Sequence, residues 1–242
     1  IGLLFLTDDN GGWNEDKLKV QSIAVGRLSS MPMLLTLRPS GGRWRGWTSL
    51  YEMAESCGSR MSVAKGGRQP GTSGYLFGTC HPFFPVRRDG TSFYVAELPY
   101  SVWSPGLQTP ETSLEKLVEQ TAQRHGCLNF GSPVGDLLSA AGNAAMLRMA
   151  AAVRQHRLDW ATPGAIYQFE KARRSLRVQF GQQDGTASLF LVSDGALEGL
   201  TVLLMGAGKD VTASGRPAPS QAVHRYGTAF TQVQLDMDPK SR

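Results

Sequence analysis

Two adjacent carboxylates, Asp8 and Asp9, lie one residue beyond the apolar run Gly2–Leu6 and form the pair best suited to chemistry. One carboxylate of such a pair can hold a divalent metal ion while the other acts as a general base. The same pair precedes two glycines, where aspartate also favours a tight turn, so a structural role stays open. His81, in a loop rich in proline and phenylalanine, is the next candidate, as a metal ligand or an acid.

Two other predicted strand ends carry fewer side chains that could take part in catalysis. The stretch CLNFGSP, Cys127–Pro133, reads as the end of a buried strand where an α/β enzyme carries catalytic side chains, yet it offers only Asn, Gly, Ser and Pro. Glu97 ends another predicted strand, either as a carboxylate at the site or as an ordinary surface residue. Neither the G-x-S-x-G nor the H-E-x-x-H motif occurs, so the sequence lacks both common hydrolase signatures.

The elements that must position these residues alternate between strands and helices over the first two-thirds of the chain. Met31–Leu37 is continuously apolar, as in a strand that is covered on both faces. Ser49 with Glu52, and Thr112 with Glu115, have the capping-box spacing that begins a helix. Helices between unalternating apolar strands predict an α/β domain with a parallel sheet, either open or closed into an irregular (β/α) barrel.

The pattern changes near Ser175. Thr162-Pro163 begins the last predicted helix, which runs to about Arg174. After it come only short strands separated by polar turns with Gly and Pro, at the spacing typical of a small antiparallel β-sandwich. The sequence therefore predicts an α/β domain over residues 1–174 and a β-sandwich domain over residues 175–242.

Composition limits the function classes. The net charge is +5, but the densest basic patch, Arg38–Arg68, is interrupted by Glu52 and Glu55 and has no regular aromatic interleaving, which argues against nucleic-acid binding. The longest apolar runs are far too short for a membrane span. Three cysteines without a C-x-x-C spacing do not favour a zinc cluster, and buried thiols or one disulfide remain as alternatives.

The order of several segments resembles the polysaccharide deacetylase-like family of carbohydrate esterases. The segments are SLYEMAESCGSRM, GYLFGTCHPFFPV, YVAELP, CLNFGSP and HRLDWATPGAIYQF, and the resemblance covers about Ile1–Arg174. It implies a barrel-like domain and a divalent metal such as zinc. Asp8 and Asp9 would match the family's aspartate pair, with Asp9 and His81 as metal ligands.

The chain departs from this family where histidines are expected. LRPSGGRWRGW has none of the two metal-binding histidines, and Gly131 stands where the catalytic histidine would follow CLNF. Imidazole provides both metal ligation and a base near neutral pH, which glycine and serine cannot replace. We therefore expect a deacetylase-like protein that acts on or binds an acylated polysaccharide, or alternatively a non-catalytic carbohydrate-binding or structural protein. The sugar would contact Trp44, Trp47, Tyr75 and Trp103, although buried core aromatics are the alternative. The family resemblance is compatible with export from the cell, but the sequence itself does not specify a compartment.

Overall fold

The structure, a computed structural model, describes residues 2–5, 14–29, 36–39, 47–65, 81–103, 111–132, 134–183, 186–206 and 210–238. It divides into two compact units, Ile1–Tyr167 and Gln168–Arg242. The division falls inside the helix Pro163–Ser175, a few residues before the predicted boundary between residues 174 and 175. Among the described residues, none of the helices is long and apolar enough to span a membrane.

The first unit alternates strands and helices, as its apolar runs predict. Its elements are β1 Gly2–Phe5, α1 Glu15–Ser29, β2 Thr36–Pro39, α2 Ser49–Ser56, β3 Met61–Ser62, β4 Ala96–Glu97, β5 Val102–Trp103, α3 Glu111–Arg124, β6 Phe130–Gly131, α4 Val134–Leu138, α5 Ala140–Gln155 and the start of α6 Pro163–Ser175.

The strands of this unit are parallel and pair in chain order. One sheet has the order β1-β2-β3-β4, and β5 pairs with β6 in a second, two-stranded parallel sheet. In the first sheet Leu37, Ser62 and Glu97 lie side by side and therefore share a face. The mixed helix and strand content agrees with the predicted α/β class, while the described strands form these two open sheets and not a closed barrel.

Both faces of the four-stranded sheet are covered. Leu37 packs in a cluster with Leu18 of α1 and with Leu50 and Tyr51 of α2, and all four are buried. On the opposite face, Met61, Ala96 and Leu98 pack against Tyr167. Burial on both faces is what a parallel sheet between layers of helices requires.

The helix starts differ in part from the predicted capping boxes. Thr48, not Ser49, precedes α2, and its hydroxyl donates to Glu52 Oε1 at 2.6 Å without capping a backbone amide. The predicted box of Ser49 and Glu52 is therefore wrong by one residue, because Ser49 is already helical. Thr162 does cap α6, as predicted, since its Oγ1 accepts the amide of Ala165 at 3.2 Å.

The helical layer around α5 depends on a close backbone approach. Ser139 caps α5 by accepting the amide of Gly142 at 3.0 Å. A Cβ built on Gly142 would lie 1.9 Å from the carbonyl oxygen of Asp136 in α4. Only glycine fits at this position, because any side chain would push the two helices apart.

The second unit is antiparallel, as its turn-rich sequence predicts. Its strands are β7 Arg177–Gln183, β8 Thr186–Val192, β9 Leu197–Met205, β10 Thr212–Ala213, β11 Arg216–Pro217, β12 Ser220–Arg225 and β13 Thr228–Met237. They form a three-stranded sheet of order β12-β13-β9 and two hairpins, β7-β8 and β10-β11. Strand β12 is polar and mostly exposed at the margin of its sheet, so no apolar run in the sequence predicts it.

Candidate functional site

The carboxyl-terminal edge of the parallel strands is the candidate site. Because β1 to β4 are parallel, their last residues all lie at this edge of the sheet. Beyond β4 the chain stays extended, since the Tyr100 amide donates to the Lys65 carbonyl at 2.9 Å and the Ser101 amide to the Asn129 carbonyl at 2.7 Å. The edge therefore continues from β3 and β4 to β5 and β6.

A cation and an aromatic ring meet at this edge. Arg38, near the end of β2, places its guanidinium carbon 4.9 Å from the centre of the Tyr100 ring. Tyr100 is buried and Arg38 is half-buried, and this burial lowers the pKa of the Arg38 guanidinium, while Tyr100 acts in the opposite direction. The guanidinium therefore stacks over the ring in a cation–π contact, which links the end of β2 to the chain beyond β4.

Glu97, at the end of β4, is a fully buried carboxylate. Its Oε1 accepts the backbone amides of Ala64 at 2.9 Å and Lys65 at 2.6 Å, directly after β3. Its Oε2 is enclosed, and the hydroxyls of Ser62 and Tyr51 lie beside the carboxyl group. The carboxylate thus tethers the chain leaving β3 to the end of β4.

Burial dominates the electrostatics of this carboxylate. Desolvation raises the pKa of Glu97 from 4.5 to about 7, although Ser62, the Lys65 and Ala64 amides and the Lys65 charge all lower it. The pKa of the Tyr51 phenol, from α2, is also raised. Burial of the phenol is the main cause, and the nearby Glu97 charge is the second. Glu97 therefore titrates near neutral pH.

The predicted histidine lies just before a bridge to the end of β4. Phe83 forms an antiparallel bridge with Glu97, with reciprocal backbone hydrogen bonds of 3.0 and 2.7 Å. His81 lies two residues before Phe83, and its side chain is exposed. The bridge therefore brings the chain that follows His81 to the end of β4.

The remaining predicted site residues are only partly described. Trp47 lies in the connection from β2 to α2 and is 75% exposed. Trp103 belongs to β5 and pairs with Gly131 of β6, but its side chain is outside the described set. The carboxylates Asp8 and Asp9 and the aromatics Trp44 and Tyr75 lie outside the described residues.

The described residues do not fit a metal centre. Over the ranges that the structure covers, no three His, Cys, Asp or Glu side chains are grouped so that they could hold an ion. Asp9, the other predicted ligand beside His81, lies outside those ranges, so we derive no metal-dependent step. Cys57 and Cys127 are not disulfide-bonded, and Cys80 falls outside the described residues.

Sequence reasoning missed the two best-defined features of this edge. Glu97 was expected either at the mouth of the site or on the surface, but it is buried beneath the chain that follows β3. Its place inside the otherwise apolar run YVAELPY was the available signal. The contact between Arg38 and Tyr100 depends on strand register, which one sequence does not specify.

Comparison with known proteins adds no relative. No protein-family model, no curated protein and no solved structure matches this chain.

Proposed function

We propose that this protein is a deacetylase-like carbohydrate-active protein that binds an acylated polysaccharide at the carboxyl-terminal edge of its parallel strands. The observation that carries the proposal is the contact between Arg38 and Tyr100 at this edge. Trp47 and His81 are both exposed, and they belong to the connections that follow β2 and β3. In α/β folds this edge is where ligands bind.

The strand arrangement supports a barrel-like first domain, which is the fold implied by the resemblance to deacetylases. Helix α1 connects β1 to β2, α2 connects β2 to β3, and α3 connects β5 to β6, and each pair is parallel. Sequential neighbours joined by helices are the winding of a (β/α) barrel, whereas a doubly wound sheet reverses its order at a switch point. A barrel-like first domain, followed by a small β-sandwich, is the architecture that we propose.

Trp47 is the residue through which the proposal is best tested. Its exposed indole offers a flat apolar face, and its removal leaves the buried core untouched because it is 75% exposed. Tyr94 is a matched control: it is 69% exposed, but it lies at the opposite, amino-terminal end of β4. Its backbone amide and carbonyl, which bind Glu55 and Tyr167, are kept in an alanine variant.

Calorimetry with N-acetylated chito-oligosaccharides and O-acetylated xylo-oligosaccharides tests the binding. We expect measurable binding of at least one class, weakened about tenfold by Trp47→Ala, which corresponds to about 1.4 kcal/mol, and unchanged by Tyr94→Ala. The proposal is contradicted if neither class of oligosaccharide binds, or if both substitutions weaken binding equally.

Activity assays decide between binding and hydrolysis. The short supply of histidines favours a protein that binds without metal-dependent turnover, so we expect no acetate release with added Zn²⁺ or Co²⁺. Metal-dependent acetate release that is abolished by Asp9→Ala would instead assign hydrolysis to this edge, with Asp8, Asp9 and His81 as the working residues.

A further inference from the structure

We propose that Glu97 is a protonation-sensitive latch for the chain that leaves β3. The neutral acid stays closed beneath Ala64 and Lys65, and the ionised carboxylate favours releasing these two residues to water. This inference does not depend on the proposed carbohydrate function, since it concerns only the backbone around the end of β3.

The geometry identifies what the latch holds. Two consecutive amides, those of Ala64 and Lys65, donate to the same oxygen of Glu97 at 2.9 and 2.6 Å. The Lys65 carbonyl in turn accepts the amide of Tyr100 at 2.9 Å. A single carboxyl group therefore connects the start of the β3–β4 connection to the edge at which Tyr100 lies.

The surroundings of the carboxyl group are poor in charge. From α2 comes the phenol of Tyr51, and from β3 and the chain after it come the hydroxyl of Ser62 and the ammonium of Lys65. Leu37 and Val95, buried in the same cluster as Tyr51, line the apolar side. Of these groups only Lys65 is positively charged, and its attraction is smaller than the cost of burial.

This balance sets the direction of the latch. Desolvation is the largest effect on Glu97 and exceeds all the hydrogen bonds that favour its ionised form. Any motion that admits water to the carboxylate is therefore favoured by ionisation, through linkage. Ala64 is buried and Lys65 is only half-buried, so lifting these two residues is the shortest way to admit water.

Amide hydrogen exchange, measured residue by residue by NMR and corrected for intrinsic rates, tests the latch on the whole protein. Between pH 5.5 and pH 8 we expect the protection factors of Ala64 and Lys65 to fall at least about tenfold. The amides of Ala96 and Leu98, which bind the carbonyls of Arg60 and Ser62 in the same sheet, serve as internal references. Because the latch opens without unfolding of the sheet, Ala64 and Lys65 should be less protected than these references at pH 8. Equal protection of all four amides at pH 8 would mean that they open together by global unfolding and would overturn the latch.

Two variants and one direct titration complete the test. Glu97→Gln should remove the pH dependence at Ala64 and Lys65, whereas Glu119→Gln, an exposed glutamate on α3, should keep it. In the unmodified protein, the carboxyl carbon signal of Glu97 should titrate close to pH 7. A midpoint near 4.5, or an unchanged pH response in Glu97→Gln, would overturn the proposal, and the titration does not require the variant to fold.

Discussion

The four-stranded parallel sheet and the β7–β8 hairpin bury their apolar side chains to very different extents. Leu37 of β2 lies beside Ser62 and Glu97 in the sheet and is completely buried under the helices α1 and α2. Phe180 lies directly opposite Leu189 in the hairpin, yet these side chains are 68% and 40% exposed. Leucines in the two regions thus contribute very differently to stability, because helices cover Leu37 whereas Leu189 is partly exposed to solvent.

The difference also bears on where function can be sought. Burial on both faces makes the parallel sheet a rigid frame, so side chains at its carboxyl-terminal edge keep fixed relative positions. The hairpin provides no comparable frame for its exposed apolar residues. We therefore place the candidate site on the parallel sheet.

The largest expected effect is the difference in the loss of unfolding free energy when leucine is replaced by alanine in each of the two regions. Leu37→Ala removes a fully buried side chain and should lower the free energy of unfolding by about 2–5 kcal/mol. Leu189→Ala, at 40% exposure, should cost less than about 1 kcal/mol. All five tryptophans belong to residues 1–167, so tryptophan fluorescence follows the first unit, while circular dichroism follows both. Equal losses in the two variants would contradict the contrast between the regions.

Much of this contrast was predictable from the sequence. The apolar run Gly2–Leu6 predicted β1, while the predicted strand Met31–Leu37 overlaps β2 only at Thr36 and Leu37. Thr162-Pro163 correctly predicted the start of α6. The polar strand β12 was not predictable, because its pairing with β13 is defined by backbone hydrogen bonds and not by an apolar pattern. The burial of Glu97 likewise depends on the distant amides of Ala64 and Lys65.

The next effect concerns the buried carboxylate within the sheet. The pKa of Glu97 is raised in the folded state, so folding takes up a proton and stability falls as pH rises from about 4.5 to about 7. At about 1.36 kcal/mol for each tenfold change in proton affinity, the loss is about 3 kcal/mol. Urea unfolding of the wild type and Glu97→Gln across this range should differ by that amount. If both proteins show the same pH profile, Glu97 is not the source of the dependence.

A smaller effect tests how tightly the first unit is packed outside the sheet. Gly142→Ala would bring a Cβ within 1.9 Å of the Asp136 carbonyl oxygen, so we expect a loss of about 1–3 kcal/mol in thermal or urea unfolding. Gly181→Ala in the hairpin meets only the Phe190 ring at 3.7 Å and should be neutral or slightly stabilising. A neutral Gly142→Ala would show that α4 and α5 do not approach as closely as described.

Hydrogen exchange with mass spectrometry, with and without a saturating acetylated oligosaccharide that binds in calorimetry, locates the bound ligand on the protein. We expect protection of the peptides that contain Trp47, Tyr100 to Trp103 and Asn129 to Ser132, all at the carboxyl-terminal edge of the parallel strands. Peptides at the amino-terminal end of β4 and from β12 should be unchanged. Protection confined to the second unit, or to the amino-terminal ends of the strands, would contradict the placement of the site.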